Sequence, residues 1–205
     1  MKGFKLVFSI LIGIGFVYAL NTKLGQLPPL GKFLNPFSGF WQNAESVDGF
    51  RSLECKGTKQ EVNVLYDVQD IPHIFAANEE DLYYAQGYVV AKDRLWQMDI
   101  QTTMAEGRLS EFLGEKTLKL DREKRRIGLK YASEKAAEKF LNEETKMVMN
   151  QFTKGVNDYI HSLDYKDLPL ESKLLDYEPI DWTSERSALL LKAMAERLTG
   201  NELDV

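Results

Sequence analysis

Residues Val64 to Gly114, VLYDVQDIPHIFAANEEDLYYAQGYVVAKDRLWQMDIQTTMAEGRLSEFLG, constrain the fold more than any other part of this chain. Glu61 to Tyr66 alternates, with Val62, Val64 and Tyr66 on one side of a period-two strand, and Ile71 to Ala76 repeats the pattern. Asp67, Val68, Gln69 and Asp70 lie between them and supply turn chemistry, which predicts a β-hairpin. Asn78 is the natural N-cap of a long helix, with Glu79, Glu80 and Asp81 where the helix dipole favours negative charge. That helix carries Tyr84, Tyr88, Ala91, Leu95 and Met98 on one stripe and Leu82, Ala85, Val89 and Trp96 on a second. So wide an apolar arc predicts burial on most sides. Gln86, Asp93, Arg94, Gln97 and Asp99 are then expected to need protein partners, with Asp93 and Arg94 in structural ion pairs.

Beyond Met98 the helix is expected to run to Gly107, with a short helical piece, Arg108 to Leu113, closed by Gly114. Thr117 to Gly128 is charged and reads as a connector. Ala132 to Leu141 and Thr145 to Leu163 read as amphipathic helices, the second through Met147, Val148, Phe152, Val156, Tyr159 and Ile160. His161 fits a helix C-terminus, where cations are favoured. Asp164 to Asp181, with Pro169 and Pro179, breaks the helices. Trp182 leads into a last amphipathic helix from Ser184 to Gly200.

Ahead of this body, Lys2 and Lys5 precede an uncharged apolar run from Leu6 to Leu20. Residues 1–20 are an export signal, with Val17-Tyr18-Ala19 suited to cleavage, or an uncleaved membrane anchor, since the length sits between the two norms. Either places the body outside the cytoplasm, periplasmic or held at the inner membrane, with the positive end inside. Residues 21–46 hold Pro28, Pro29, Pro36, Gly25, Gly31 and Gly39 and cannot propagate a regular element. Phe33, Phe37, Phe40 and Trp41 make this spacer an ordered aromatic arm, packed along the membrane face or the body. Residues 47–205 form the remaining region. A net charge of −5 argues against a nucleic-acid surface, and the single cysteine, Cys55, excludes an internal disulfide.

The residues display no complete catalytic arrangement. His73 and His161 are the only histidines, and neither stands in a metal-ligand spacing. No G-x-S-x-G elbow, phosphate loop or dinucleotide motif is present. His73, after Pro72 in a strand pattern, reads as a buttress rather than a base. Taken alone, the residues describe an exported or anchored mixed α/β protein. A noncatalytic envelope protein or partner-binding module fits that description.

DVQDIPHIFA, EEDLYYAQGYVVAKDRLWQMD and EGRLSEFLG together resemble the start of the α chain of the penicillin amidase (penicillin acylase) family of N-terminal nucleophile hydrolases. The resemblance runs from about Val62 to the C-terminus and is most specific before Gly128. Asp70 stands where the family usually has glycine, and aspartate tolerates the left-handed turn conformation better than most residues. The resemblance implies an α+β fold, the αββα sandwich, of which this chain supplies a mainly helical part plus a β-hairpin. It implies an amide-bond hydrolase made as a precursor, whose nucleophilic serine begins a separate β chain and uses its own α-amino group as base. This chain would then hold no catalytic residue and be inactive alone. Its partners would be the β chain and a small acyl-amide substrate, with the membrane touched only through the N-terminal segment. Carried onto matching positions, Met194 and Leu198 would shape the acyl site and Arg197 would orient the leaving part. Leu198 replaces the family's aromatic residue, which points to an aliphatic or differently shaped acyl group. Glu202 would give one carboxylate to a structural calcium, with β-chain oxygens completing the ligand set. No organic cofactor is implied.

Overall fold

The computed structural model describes residues 2–23, 25, 28–44, 57–139 and 142–199. The chain is mostly helical: α1 (Lys2–Asn21), α2 (Glu79–Glu106), α3 (Ser110–Leu113), α4 (Leu118–Ile127), α5 (Leu129–Glu138), α6 (Glu143–Ser162), α7 (Leu170–Leu175) and α8 (Ser184–Thr199). Among the described residues, β1 (Asn63–Tyr66) and β2 (Pro72–Phe75) form a two-stranded antiparallel sheet. The chain divides into two compact units: residues 1–47 with 163–178, and residues 48–162 with 179–205.

The larger unit is built from the hairpin upward. Val64 pairs with Ile74 and Leu65 with His73, so Val62 and Val64 face inward, where they pack on Ala85 and Val89 of α2. The turn is held by Asp67, whose Oδ1 accepts the amides of Gln69 (2.8 Å) and Ile71 (2.9 Å). Asp70 sits at φ 56°, the left-handed conformation expected for it. His73 Nε2 lies 3.3 Å from Asp67 Oδ2, the buttressing role read from sequence.

Asn78 caps α2 as expected, its side chain accepting the Asp81 amide at 2.9 Å. Asp81 is itself buried and accepts the amides of Lys59 and Gln60, which ties the strand's approach to the helix start. The apolar stripe is present: Tyr84, Ala91, Leu95 and Met98 are buried. The polar side chains divide otherwise than expected, because Gln86, Asp93, Arg94 and Gln97 lie on the exposed side of α2 and Asp99 alone of the five is buried. The buried ion pair of this helix is Asp99 with Arg186. The helix is kinked at Arg94 and ends at Gly107 (φ 69°), a left-handed cap.

Helix α6 lies against α2 at glycine contacts. A Cβ on Gly87 would run into Phe152 O, and one on Gly155 into Tyr84 O. The missing side chains let the two backbones approach, which explains glycine inside both helices. Tyr84 Oη donates to Asp158 at 2.6 Å, and the Tyr88 and Tyr159 rings meet edge to face.

Two expected loops are helical. The expected connector at 117–128 holds α4 (Leu118–Ile127), because buried Asp121 accepts the amides of Leu109 and Ser110, both at 2.8 Å. Its exposed charges are the solvent side of a real helix, closed by Gly128 at φ 77°. Helix α5 begins at Leu129, three residues before the expected start, with Leu129 packed on Ala105 and Leu189. Between Asp164 and Asp181 the chain forms α7, for which Pro169 is the N-cap and not a breaker.

In the smaller unit, α1 is an apolar helix whose spanning window is not buried by the protein. The arm behind it is ordered: Phe33 stacks on Phe40 at 5.0 Å, and Phe40 packs on Trp41 at 4.2 Å. Buried Lys173 holds it, with Nζ donating to Gly39 O, Asn43 Oδ1 and Lys166 O. Burial pushes its ammonium below the usual lysine range.

Candidate functional site

Helix α8 carries apolar residues on two faces. At about 100° per residue, Leu189 and Ala193 fall on one side and pack with Ala105 and Leu129. Ser187, Leu190, Leu191, Met194 and Leu198 fall on the other side. The first two line an apolar groove of about 290 Å³ with Val90, Met98, Val148, Met149, Phe152 and Trp182. The stripe then continues into the open, where Leu191 is 62%, Met194 58% and Leu198 82% exposed. By helical position the stripe runs on from the side of α8 that lines the groove, and together they form an apolar track.

The scaffold beneath it is rigid. Arg186, 5% exposed, donates to Asp99 Oδ1 at 2.8 Å and Thr102 Oγ1 at 2.7 Å and stands 4.7 Å from the Trp182 ring. Trp182 is locked in turn: its amide donates to Asn157 Oδ1, Asn157 Nδ2 donates to Trp182 O, and its Nε1 donates to Ser187 Oγ. The Arg186 bonds to Asp99 and Thr102 tie α8 to α2. On the outer side Lys124 Nζ meets both Glu196 carboxylate oxygens at 2.8 Å and ties α8 to α4.

A larger crevice of about 440 Å³, lined by Glu106, Arg108, Lys124, Arg125, Lys130 and Tyr131, is charged. Three of its cations already have acceptors in the protein. Arg108 binds Glu111 and Glu106, which hold its guanidinium above the usual range; Lys124 binds Glu196; Arg125 binds Gly107 O. The apolar track therefore has the stronger claim to a ligand.

Of the residues singled out from sequence, Met194 and Leu198 share the exposed stripe, and Arg197 is exposed beside it. Within this chain none of the three is a core residue. Glu202 lies outside the described residues. Among the described residues no group of three or more His, Cys, Asp or Glu is placed to hold a metal. His161 pairs with Asp181 at 2.8 Å at the end of α6. Sequence reasoning missed Arg186 and Asp99 as a pair; the available signal was an arginine on the same face of α8 as Leu189 and Ala193.

Known proteins share this helical scaffold. The penicillin amidase family model matches residues 61–204, and the chain belongs to that family. It is similar to penicillin acylase 2 proenzyme of Pseudomonas sp. (strain SE83), 35% identical over 143 residues, which are 70% of this chain and 18% of that protein. It is also similar to the acyl-homoserine lactone acylase QuiP of Pseudomonas fluorescens, 34% identical over 152 residues, 73% of this chain and 18% of the relative. The chain thus spans about a fifth of the length of these curated relatives. A thermostable penicillin G acylase from Alcaligenes faecalis has the same fold at TM-score 0.63 and 27% identity, over 72% of this chain and 80% of that one.

Proposed function

We propose that this chain is the α-chain portion of an exported amidohydrolase of the αββα type, which cleaves a linear acyl amide through a serine at the start of a separate β chain. Family membership supports the reaction class, since the relatives are named as acylases acting on penicillins or acyl-homoserine lactones. The observation that carries the reading is the apolar track of Leu190, Leu191, Met194 and Leu198 on a helix held by buried polar bonds. A relative is named a proenzyme, which agrees with a cut precursor. The hairpin agrees as well. Its outer face leaves Leu65 and Phe75 exposed, and two strands alone are marginally stable, so further strands from the partner chain would complete the sheet.

In the reaction the serine Oγ attacks the amide carbon and gives its proton to its own α-amino group. That group passes the proton to the departing amine, and water then hydrolyses the acyl ester. This chain supplies binding. Met194 and Leu198 desolvate the acyl group, and Arg197 orients the leaving part when it carries a carboxylate. Leu198 favours an aliphatic acyl group. Glu202 is the proposed ligand of a structural calcium completed by β-chain oxygens; one carboxylate cannot hold the ion alone. No step passes through the metal.

The test is expression of the whole gene followed by assay on a panel of acyl amides running from phenylacetyl to long aliphatic acyl groups. Hydrolysis with an aliphatic preference is expected. An envelope protein that binds without turnover would show none across the panel.

A further inference from the structure

We propose that α1 is retained as a membrane anchor and that the arm behind it, residues 28–44, seats on the outer surface of the lipid bilayer through Leu34, Phe37 and Trp41. The helix has 20 residues, about 30 Å at ~1.5 Å per residue, which matches the hydrocarbon thickness. Its apolar side chains are exposed along its length, from Phe4 at 77% to Tyr18 at 71%. A secretory signal has the same composition, so the decisive observations lie at the junction.

The helix does not end at the small residues around Ala19. It continues to Asn21, whose Nδ2 donates to Val17 O at 2.9 Å, while Thr22 Oγ1 donates to Tyr18 O at 2.9 Å. The arm then turns back, and the Gly31 amide donates to Leu20 O at 2.8 Å. Gly31 lies so close to Asn21 that a Cβ would come within 2.5 Å of Asn21 Oδ1. The Asn21 and Thr22 side-chain bonds cross the Ala19–Leu20 peptide and would be lost on cleavage there, while the Gly31 contacts fold the arm onto the helix end. Proteases cut extensible backbone, and this segment is helical.

The arm is a folded cap rather than a linker. Besides the stacked rings of Phe33, Phe40 and Trp41, the Gly39 amide donates to Asn35 O and the Phe40 amide to Phe33 O. Lys173 and the Asn43 to Leu168 bond (2.9 Å) pin it to residues 163–178. A folded segment normally turns its rings inward, yet Phe37 is 86%, Trp41 56% and Leu34 44% exposed, beginning 13 residues beyond the end of a spanning helix. Apolar and aromatic side chains at that level belong to the bilayer interface, where tryptophan is enriched.

The experiment uses the full precursor expressed in a bacterium, and neither readout depends on turnover, so the outcome is separable from the fate of the amidase assignment. Intact mass of the α chain recovered from carbonate-washed membranes should include residues 1–20. An α chain that begins at Leu20 and is released with the periplasmic contents overturns the anchor. For the arm, the purified protein is placed in phosphatidylethanolamine–phosphatidylglycerol vesicles whose lipids carry bromine near the headgroup. Tryptophan emission should be partly quenched in the wild type, and that quenched part should be lost in Trp41→Phe. Quenching that is equal in both proteins, or absent from both, overturns the seating of the arm and leaves it covered by protein.

Discussion

A single carboxylate, Asp121, fixes the turn that joins α2 to α4. It is 2% exposed, and its two oxygens take the amides of Leu109 and Ser110. Burial pushes this carboxyl up, but the hydrogen bonds from Ser110 and Leu109 outweigh burial and hold it below the ordinary range. Asp81 obeys the same logic: burial opposes ionisation, and the bonds from Lys59, Asn78 and Gln60 prevail. Because both folded-state values are lowered, their stabilisation is present above the ordinary carboxylate value and is lost as pH falls through the lowered one. Asp121→Asn keeps one acceptor and loses the charge, and should cost about 1–3 kcal/mol at neutral pH. Thermal melts of the protein should show wild type losing stability below about pH 4 and the variant losing less over the same interval. The proposed acyl face permits a second residue-scale prediction. Leu198→Phe should raise kcat/KM for phenylacetyl relative to aliphatic amides by about tenfold, as read from competing substrates. Asp121 was invisible as a structural residue in the sequence, because its partners are backbone amides 11 and 12 positions away.

Among the elements, α2 was the most legible. Its cap, first-turn acids, apolar stripe and glycine stop are all local, and local chemistry decided them. The hairpin was equally plain, down to the left-handed Asp70. Helix α4 was not, since its charges suggested a solvated connector and the one inward-facing group is itself an acid. The α2–α6 contact was also hidden, because an isolated helical glycine says nothing about what crosses it. Gly155→Ala tests that contact: the new methyl would collide with Tyr84 O, and overpacking of this kind costs about 1–3 kcal/mol. Gly128→Ala is the control, because nothing lies within 4 Å of its added Cβ. It should cost only the left-handed backbone strain, about 1–2 kcal/mol. Chemical denaturation of both variants in the processed enzyme gives the comparison.

At the scale of the molecule, the apolar track of α8 and the outer face of the hairpin leave the larger unit with surfaces that water does not favour. Val68, Phe75, Leu191, Met194 and Leu198 are each more than half exposed. Exposed apolar area of this extent marks an interface, so the chain expressed from Val47 onward without the proposed partner chain should aggregate. Light scattering after expression with and without the downstream segment checks this; a soluble monomer that melts cooperatively would count against a missing partner. The family was legible in the sequence because its identifying motifs fall in α2 and the hairpin. The candidate site was legible only as positions on α8, because in the proposed reading the reacting groups lie on another chain. In the proposed division of labour this chain binds and positions, while another, cut from the same precursor, reacts. N-terminal sequencing of the mature enzyme made from the whole gene distinguishes that arrangement from its alternatives. Two chains are expected, the second beginning with serine, together with an unprocessed, inactive product when that serine is replaced by alanine; a single uncut chain that hydrolyses amides would contradict it.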